Sequence, residues 1–200
     1  MLRHSKAYDV IIVGGGIVGI SIAYHLVNQN VTVLLFDRKD RGRATNAGAG
    51  ILSPETSGSH SKTWVNLAIK AGYYYPQLID QLKAQQGTST GYERCGILTV
   101  AIDDDEVEQF DRTKDIVFQR KKQRGQPSDE ELHLLSSHEA KSLFPCLAPV
   151  QKAIYCKNAA RVDGRLLTQA LQNASEAQGL EILEANVEKL LFQKGQVGGV

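Results

Sequence analysis

The chain has 200 residues, 42% of them hydrophobic, and a formal net charge of +1. That is enough to bury the core of one domain, or of one and a half. A charge so near zero leaves no electrostatic footprint for nucleic acid or for an anionic membrane surface.

Arg3 and Lys6 stand before an apolar run, as in a secretory signal, but Gly14-Gly15-Gly16 interrupts that run. No later stretch is apolar for long enough to span a bilayer. Val10 to Val13 is short, continuous and β-branched, which predicts a parallel strand buried on both faces. Gly14-x-Gly16-x-x-Gly19 follows it. Gly14 allows a tight turn, Gly16 offers no side chain to hold a pyrophosphate off the backbone, and Gly19 lets the next helix pack closely. Ile17, Ile20, Ala23 and Tyr24 recur at helical spacing, with Leu26 and Val27 extending the face. Such a helix start presents unpaired N–H groups and partial positive charge to phosphates. Val31 to Phe36 predicts the second strand, with Asp37 at its end. There a carboxylate accepts from ribose hydroxyls and repels a 2′-phosphate. In this order the parts read as the site for the ADP half of a dinucleotide.

Small residues then run from Ala44 to Gly50, ahead of Ile51-Leu52-Ser53-Pro54. Such a segment lets the backbone lie close to a flat or charged ligand, although its composition also suits a surface loop. Thr63 to Gln86 predicts a helix with Trp64, Leu67, Ala68, Ala71, Tyr75, Leu78, Ile79 and Leu82 on its apolar face, kinked or broken before Pro76. Tyr92 to Ile102 predicts a strand, and Asp103 opens a charged helix to about Arg124. On that helix the acidic cluster 103–106 and the basic cluster 120–124 read as solvated faces. Ser136 and Glu139 form a capping box ahead of a short helix ending near Phe144. Ala153 to Cys156 predicts a strand, Asp163 or Gly164 starts a helix stopped by Gly179, and Leu180–Leu183 and Val187–Phe192 read as strands. The last stretch, Val197 to Val200, reads as an edge strand without a polar tail, which leads us to expect the N-terminal portion of a longer protein.

These residues resemble the FAD-dependent amine and amino-acid oxidoreductases of the D-amino-acid oxidase, glycine oxidase and sarcosine oxidase type. The resemblance is strongest over Tyr8 to Gly19, at Asp37 and over Gly42 to Leu52, and weaker over Tyr92 to Ala101 and Ala160 to Leu167. It implies an α/β fold, a Rossmann-like FAD-binding domain with part of an α+β substrate domain inserted. Residues 1–60 would be the FAD-binding βαβ unit and flavin loop, 61–150 the partial substrate domain, and 151–200 the return to the FAD-binding domain. It further implies that Gly14, Gly15, Gly16, Ile17, Val18 and Gly19 hold the pyrophosphate and that Asp37 takes the ribose hydroxyls. Arg38 would lie beside the adenosine, and Ala44 and Thr45 at the pyrophosphate or ribityl chain. Ala49, Gly50 and Ile51 would approach the isoalloxazine, and Val187, on a strand, would contact adenine through its backbone. The family more often carries Glu than Asp at the position of Asp37.

The activity so implied is oxidation of a small amine or amino acid by hydride transfer to the flavin, leaving an imine that water hydrolyses. Oxygen or a quinone would then take the electrons. The family's carboxylate-clamping Arg and Tyr match nothing in this chain, so no catalytic residue is named. A nicotinamide-dependent dehydrogenase and a truncated, non-catalytic nucleotide-binding fragment are the alternatives. Cys95, Cys146 and Cys156 have neither metal-ligand nor disulfide-framework spacing, which suggests a reducing cytoplasm and no metal. His60-Ser61 and His133 with Ser136 invite a hydrolase reading, but no Gly-x-Ser-x-Gly elbow accompanies them; His60 alone merits attention as a pocket residue. Oligomeric state, a homo-oligomer included, stays open.

Overall fold

The computed structural model describes residues 7–59 and 61–200. In chain order the elements are β1 (Val10–Val13), α1 (Ile17–Val27), β2 (Val33–Phe36), α2 (Ala44–Ala47), β3 (Ile51–Leu52) and α3 (Lys62–Gln86). There follow β4 (Ile97–Ala101), α4 (Asp104–Arg124), β5 (Leu132–Leu135), α5 (Ser137–Leu143), β6 (Lys152–Cys156) and β7 (Ala160–Arg161). The chain closes with α6 (Gly164–Ala177), β8 (Glu181–Leu183), β9 (Leu191–Gln193) and β10 (Gln196–Gly199). They divide into two compact units: Met1–Ala49, Ile79–Gly91 and Asp163–Val200 in the first, Gly50–Leu78 and Tyr92–Val162 in the second.

The first unit is built on a parallel sheet of order β1-β2-β8, with Val10 opposite Val33 and Leu34 opposite Glu181. This is the 3-2-1 half of a Rossmann-like sheet, β8 taking the third place. β2 is buried on both faces, as its run Val33-Leu34-Leu35 requires of a central parallel strand. Helices α1 and α6 pack together through Ile20, Ala23, Tyr24 and Val27 on one and Leu167, Ala170, Leu171 and Ala174 on the other. Each large side chain fully buried there contributes roughly 1.5–3 kcal/mol. Asp163 starts α6 by accepting from the backbone N–H groups of Arg165 and Leu166, and Gly179 turns the chain out at φ +96°.

The second unit is antiparallel. Its sheet runs β4-β6-β5, with Thr99 and Leu134 both opposite Ile154. Helix α4 lays Phe110 and Val117 on Ala101, Leu132, Ile154 and Cys156, and α5 closes a smaller cluster through Ala140, Val150 and Ala153. Asp103 caps α4 by accepting from the Glu106 N–H, and Gly125 ends it in the left-handed region. The Ser136–Glu139 capping box is fully formed. The α/β architecture with an α+β insertion therefore stands.

Several local expectations give way. Strand β1, at the edge of the order β1-β2-β8, buries only Ile12 and leaves Val13 exposed, so it is not buried on both faces. The strand expected from Tyr92 begins only at Ile97. The basic cluster 120–124 is not a solvated face, since Lys121 and Arg124 are largely covered and Arg124 pairs with the buried Glu55. Helix α3 runs unbroken through Pro76, because Val65, Ile69, Leu78 and Leu82 bury it on both sides of the missing hydrogen bond. Those four residues form its buried stripe, while Trp64 and Leu67 are exposed. Strand β5 has no counterpart in the expected elements. Finally, the strand expected from Val187 begins only at Leu191, leaving Val187 in irregular chain.

Candidate dinucleotide site

The first unit carries a cleft of about 630 Å³. Gly14, Gly15 and Gly16 form its floor, Asp37 stands at the end of β2, and Arg43, Ala44 and Thr45 form one wall. Ala185, Asn186 and Val187 complete it. The glycines are there for distinct reasons. Gly14 turns at φ +105° into open space. A side chain on Gly15 would put its Cβ 2.7 Å from Asp37 Oδ2, so the carboxylate lies directly against bare backbone. A Cβ on Gly19 would overlap the carbonyl oxygen of Gly14, so α1 can start only where it does if this residue is glycine.

Helix α1 has no side-chain cap of its own, since its N-cap is Gly16. Thr45 supplies one from a distance, its Oγ1 accepting from the Ile17 N–H at 3.1 Å. Arg43 forms a salt bridge to Asp37 Oδ2, with the two side chains 26% and 17% exposed. Arg38 pairs instead with Asp40 at 2.6 Å, out in solvent. The cleft thus brings together Gly14, Gly15, Gly16, Asp37, Arg38, Ala44, Thr45 and Val187 of the residues expected at a site. Ile17, Val18 and Gly19 form the first turn of the helix that points into it. Ala49 belongs to the same unit without lining the cleft. Gly50 and Ile51 lie in the second unit, where Gly50 accepts from the Val162 N–H at 2.9 Å and Ile51 pairs with Arg161.

Arg43 was not expected at the site; its only sequence signal is its place in the basic run 38–43, two residues before Thr45. His60 lies outside the described residues. His133 packs its ring edge-on to Tyr155 at 5.9 Å within the antiparallel sheet.

The second unit holds a pocket of about 180 Å³ between the Leu52–Glu55 stretch, the inner face of α3 and the β6–β7 turn. Glu55 is buried there. Arg124 Nη1 donates to its Oε2 at 2.6 Å, and the Tyr73 hydroxyl donates to its Oε1 at 3.3 Å. Burial, and then the Glu55 charge, push the Tyr73 phenol above its ordinary value. Burial likewise raises the Cys156 thiol on the cavity wall.

A backbone floor without Cβ atoms, a helix N-terminus aimed at it and a carboxylate at the adjacent strand end suit a dinucleotide's diphosphate and ribose. The flavin dinucleotide class narrows through the chain's relatives. The family model described as FAD dependent oxidoreductase matches residues 9–200. The oxidoreductase YurR of Bacillus subtilis is 37% identical over 195 residues, covering 98% of this chain and 50% of that protein. The crystal structure of iminodiacetate oxidase from Chelativorans sp. BNC1 superposes with a TM-score of 0.81 at 33% identity, covering 93% of this chain and 49% of that one. Glycine oxidase from Geobacillus kaustophilus gives a TM-score of 0.77 at 28% identity, over 88% of this chain and 46% of that one.

The chain belongs to the DAO family of FAD-dependent oxidoreductases. It spans about half the length of the relatives it matches. The family's cofactor is FAD, which excludes the nicotinamide alternative. No helix among the described residues is long and apolar enough to cross a membrane.

Proposed function

We propose that this chain belongs to an enzyme that oxidises a small amine or amino acid at a carbon–nitrogen bond, with FAD held in the cleft of the first unit. The observation that carries this reading is the joint lining of one cleft by the Gly14–Gly16 floor, Asp37 and Thr45. The relatives named glycine oxidase and iminodiacetate oxidase support the substrate class.

In this reading the backbone of Gly14 to Gly16 and the N–H groups of Ile17 and Val18 take the pyrophosphate, and Gly19 keeps the helix start in place. Thr45 spends its lone pair on the Ile17 N–H and turns its own hydroxyl proton to a phosphate oxygen. Asp37 accepts from the ribose hydroxyls. The Arg43 guanidinium, now its counter-ion, is then free for the phosphate charge. Arg38 flanks the adenosine, Ala44 the diphosphate, and the Val187 backbone the adenine. Ala49, Gly50 and Ile51 approach the ring. FAD, when bound, supplies the two-electron oxidation of the C–N bond. Oxygen or a quinone takes the electrons, in a cytoplasmic setting and in either a monomer or a homo-oligomer. The first unit is the FAD-binding domain and the second a part of the substrate domain.

The test is a visible spectrum of the chain after FAD is added and the excess removed. Retained flavin absorption, followed in the full-length protein by anaerobic bleaching with glycine, iminodiacetate or a related amine, is the expected result. A colourless chain whose thermal midpoint ignores FAD overturns the cofactor assignment. Retained flavin that no amine bleaches overturns the substrate class.

A further inference from the structure

Beside the core of the second unit one space is left unfilled. The pocket of about 180 Å³ has a floor of small or aliphatic buried side chains: Ile69 from α3, Cys156 at the end of β6, and Ala159 and Ala160 after it. Cys156 and Ala159 also belong to the cluster packed beneath α4, so the space borders directly on packed core. Leu52 lines it too, whereas its neighbour Ile51 is exposed and does not, as alternation along β3 requires. The pocket thus lies behind β3, on the opposite face from the Ile51 side chain. Its rim is aromatic. Tyr73 stands there half-exposed, and Tyr92 has its ring stacked parallel on that of Tyr75, the centroids 6.0 Å apart. An apolar, flat-walled space of this size suits a single aromatic ring, since a cavity of about 150 Å³ takes up benzene.

The buried polar group facing this space is Glu55. Its charge is met by Arg124 at 2.6 Å, and Arg120 feels it as well. A further cation in the pocket would therefore gain little, and what Glu55 has left to offer is acceptor capacity. Among the described residues its Oε1 accepts only from the Tyr73 hydroxyl, at 3.3 Å, which is long for such a bond, and a carboxylate oxygen carries two lone pairs. Arg94, at the rim, is turned away to Asn158 Oδ1 at 2.7 Å, and Asn158 in turn donates to Glu131. The open requirement is thus for a neutral donor attached to an apolar body.

We propose that this pocket binds a small neutral aromatic molecule with one O–H or N–H donor, a phenol or an indole, its ring on the Ile69–Cys156–Ala160 floor and its donor on Glu55 Oε1. Bound there, the ring packs against Leu52 and ties the Leu52–Glu55 stretch to α3. The inference does not rest on the flavin reading.

Isothermal titration calorimetry of the chain with p-cresol, indole, toluene and benzoate is the experiment. Saturable binding of p-cresol and indole is expected, about tenfold tighter than toluene, the difference being a hydrogen bond to a carboxylate. Tyr73→Phe keeps the ring at the rim but removes the competing hydroxyl, so it tightens p-cresol and leaves toluene unchanged. Pro76→Phe fills the pocket from α3 and gives that helix back the N–H that proline lacks, so it abolishes binding of every probe without lowering the urea midpoint. Silent titrations with p-cresol and indole, or p-cresol binding that Pro76→Phe leaves intact, overturn the site. Toluene bound as tightly as p-cresol, or benzoate bound more tightly, overturns Glu55 as the acceptor of a neutral donor.

Discussion

Each unit places a glycine against a backbone carbonyl so closely that a Cβ would overlap it: Gly19 against Gly14 in the first, Gly50 against Val162 in the second. The physical demand is the same, yet the setting differs. Gly19 is six residues beyond the end of a strand, and its partner is five residues away, so the whole device sits in one local motif. Gly50 meets a partner 112 positions along the chain, and only the fold shows why it cannot carry a side chain. Charge follows the same division. The first unit keeps its pair, Asp37 and Arg43, at the wall of an open cleft, whereas the second buries Glu55 against Arg124.

The sharpest way to break this comparison is to fill both glycines. Gly19→Ala and Gly50→Ala each force backbone apart and should cost about 3 kcal/mol, with Gly50→Ala also strained by its φ of +69°. Urea unfolding of the two variants measures this. A Gly50→Ala chain as stable as the parent would show that the β3–β7 pairing yields readily. Next in size is Glu55→Gln, which leaves the Arg124 charge without its counter-ion. With Arg124 still 25% exposed, a loss of about 2 kcal/mol is expected, short of a fully buried pair. The same measurement reports it.

The cleft pair should respond in ligand binding rather than in folding. On the proposed reading, Asp37→Ala removes an acceptor for ribose hydroxyls and should weaken FAD by about tenfold or more, as read by quenching of flavin fluorescence. Arg43→Gln should weaken it less, and should flatten the dependence of binding on salt, because its guanidinium exchanges one anionic partner for another. Equal, salt-independent losses in the two variants would show that Arg43 acts only by holding Asp37.

Much of the fold was legible wherever cause and consequence lie close in the chain. The turn at Gly14–Gly19, the caps at Asp103, Ser136 and Asp163, and the glycine stops all act over a few residues. Asp37 was legible because it ends an apolar strand. What escaped is non-local. Arg43 looked like one of several basic loop residues, and its partner Asp37 was already assigned a role. Strand β5 reads Leu132-His133-Leu134-Leu135, without β-branched residues, and is a strand because it pairs with β6. On α3 two apolar stripes compete, and packing selected Val65 and Ile69 over Trp64 and Leu67. Glu55 and Arg124 are 69 residues apart and neither sits in a motif.

The smallest expected effect concerns the thiols, and it distinguishes burial from mere sequence context. Cys95 and Cys146 are exposed, whereas Cys156 is 1% exposed. Cys95 and Cys156 both stand in or beside expected strands, so sequence context does not separate them. Burial holds the Cys156 thiol above its ordinary value, and two backbone N–H groups, of Asn158 and Ala159, only partly offset this. The native state therefore keeps its proton where the unfolded chain has lost it. This contribution to stability is complete below the ordinary thiol range and is lost as pH rises through the higher folded value. At pH 8 an alkylating reagent should label Cys95 and Cys146 quickly and Cys156 only after denaturation. Rapid labelling of all three in the folded chain would mean that the second unit opens at the 180 Å³ cavity, which Cys156 lines.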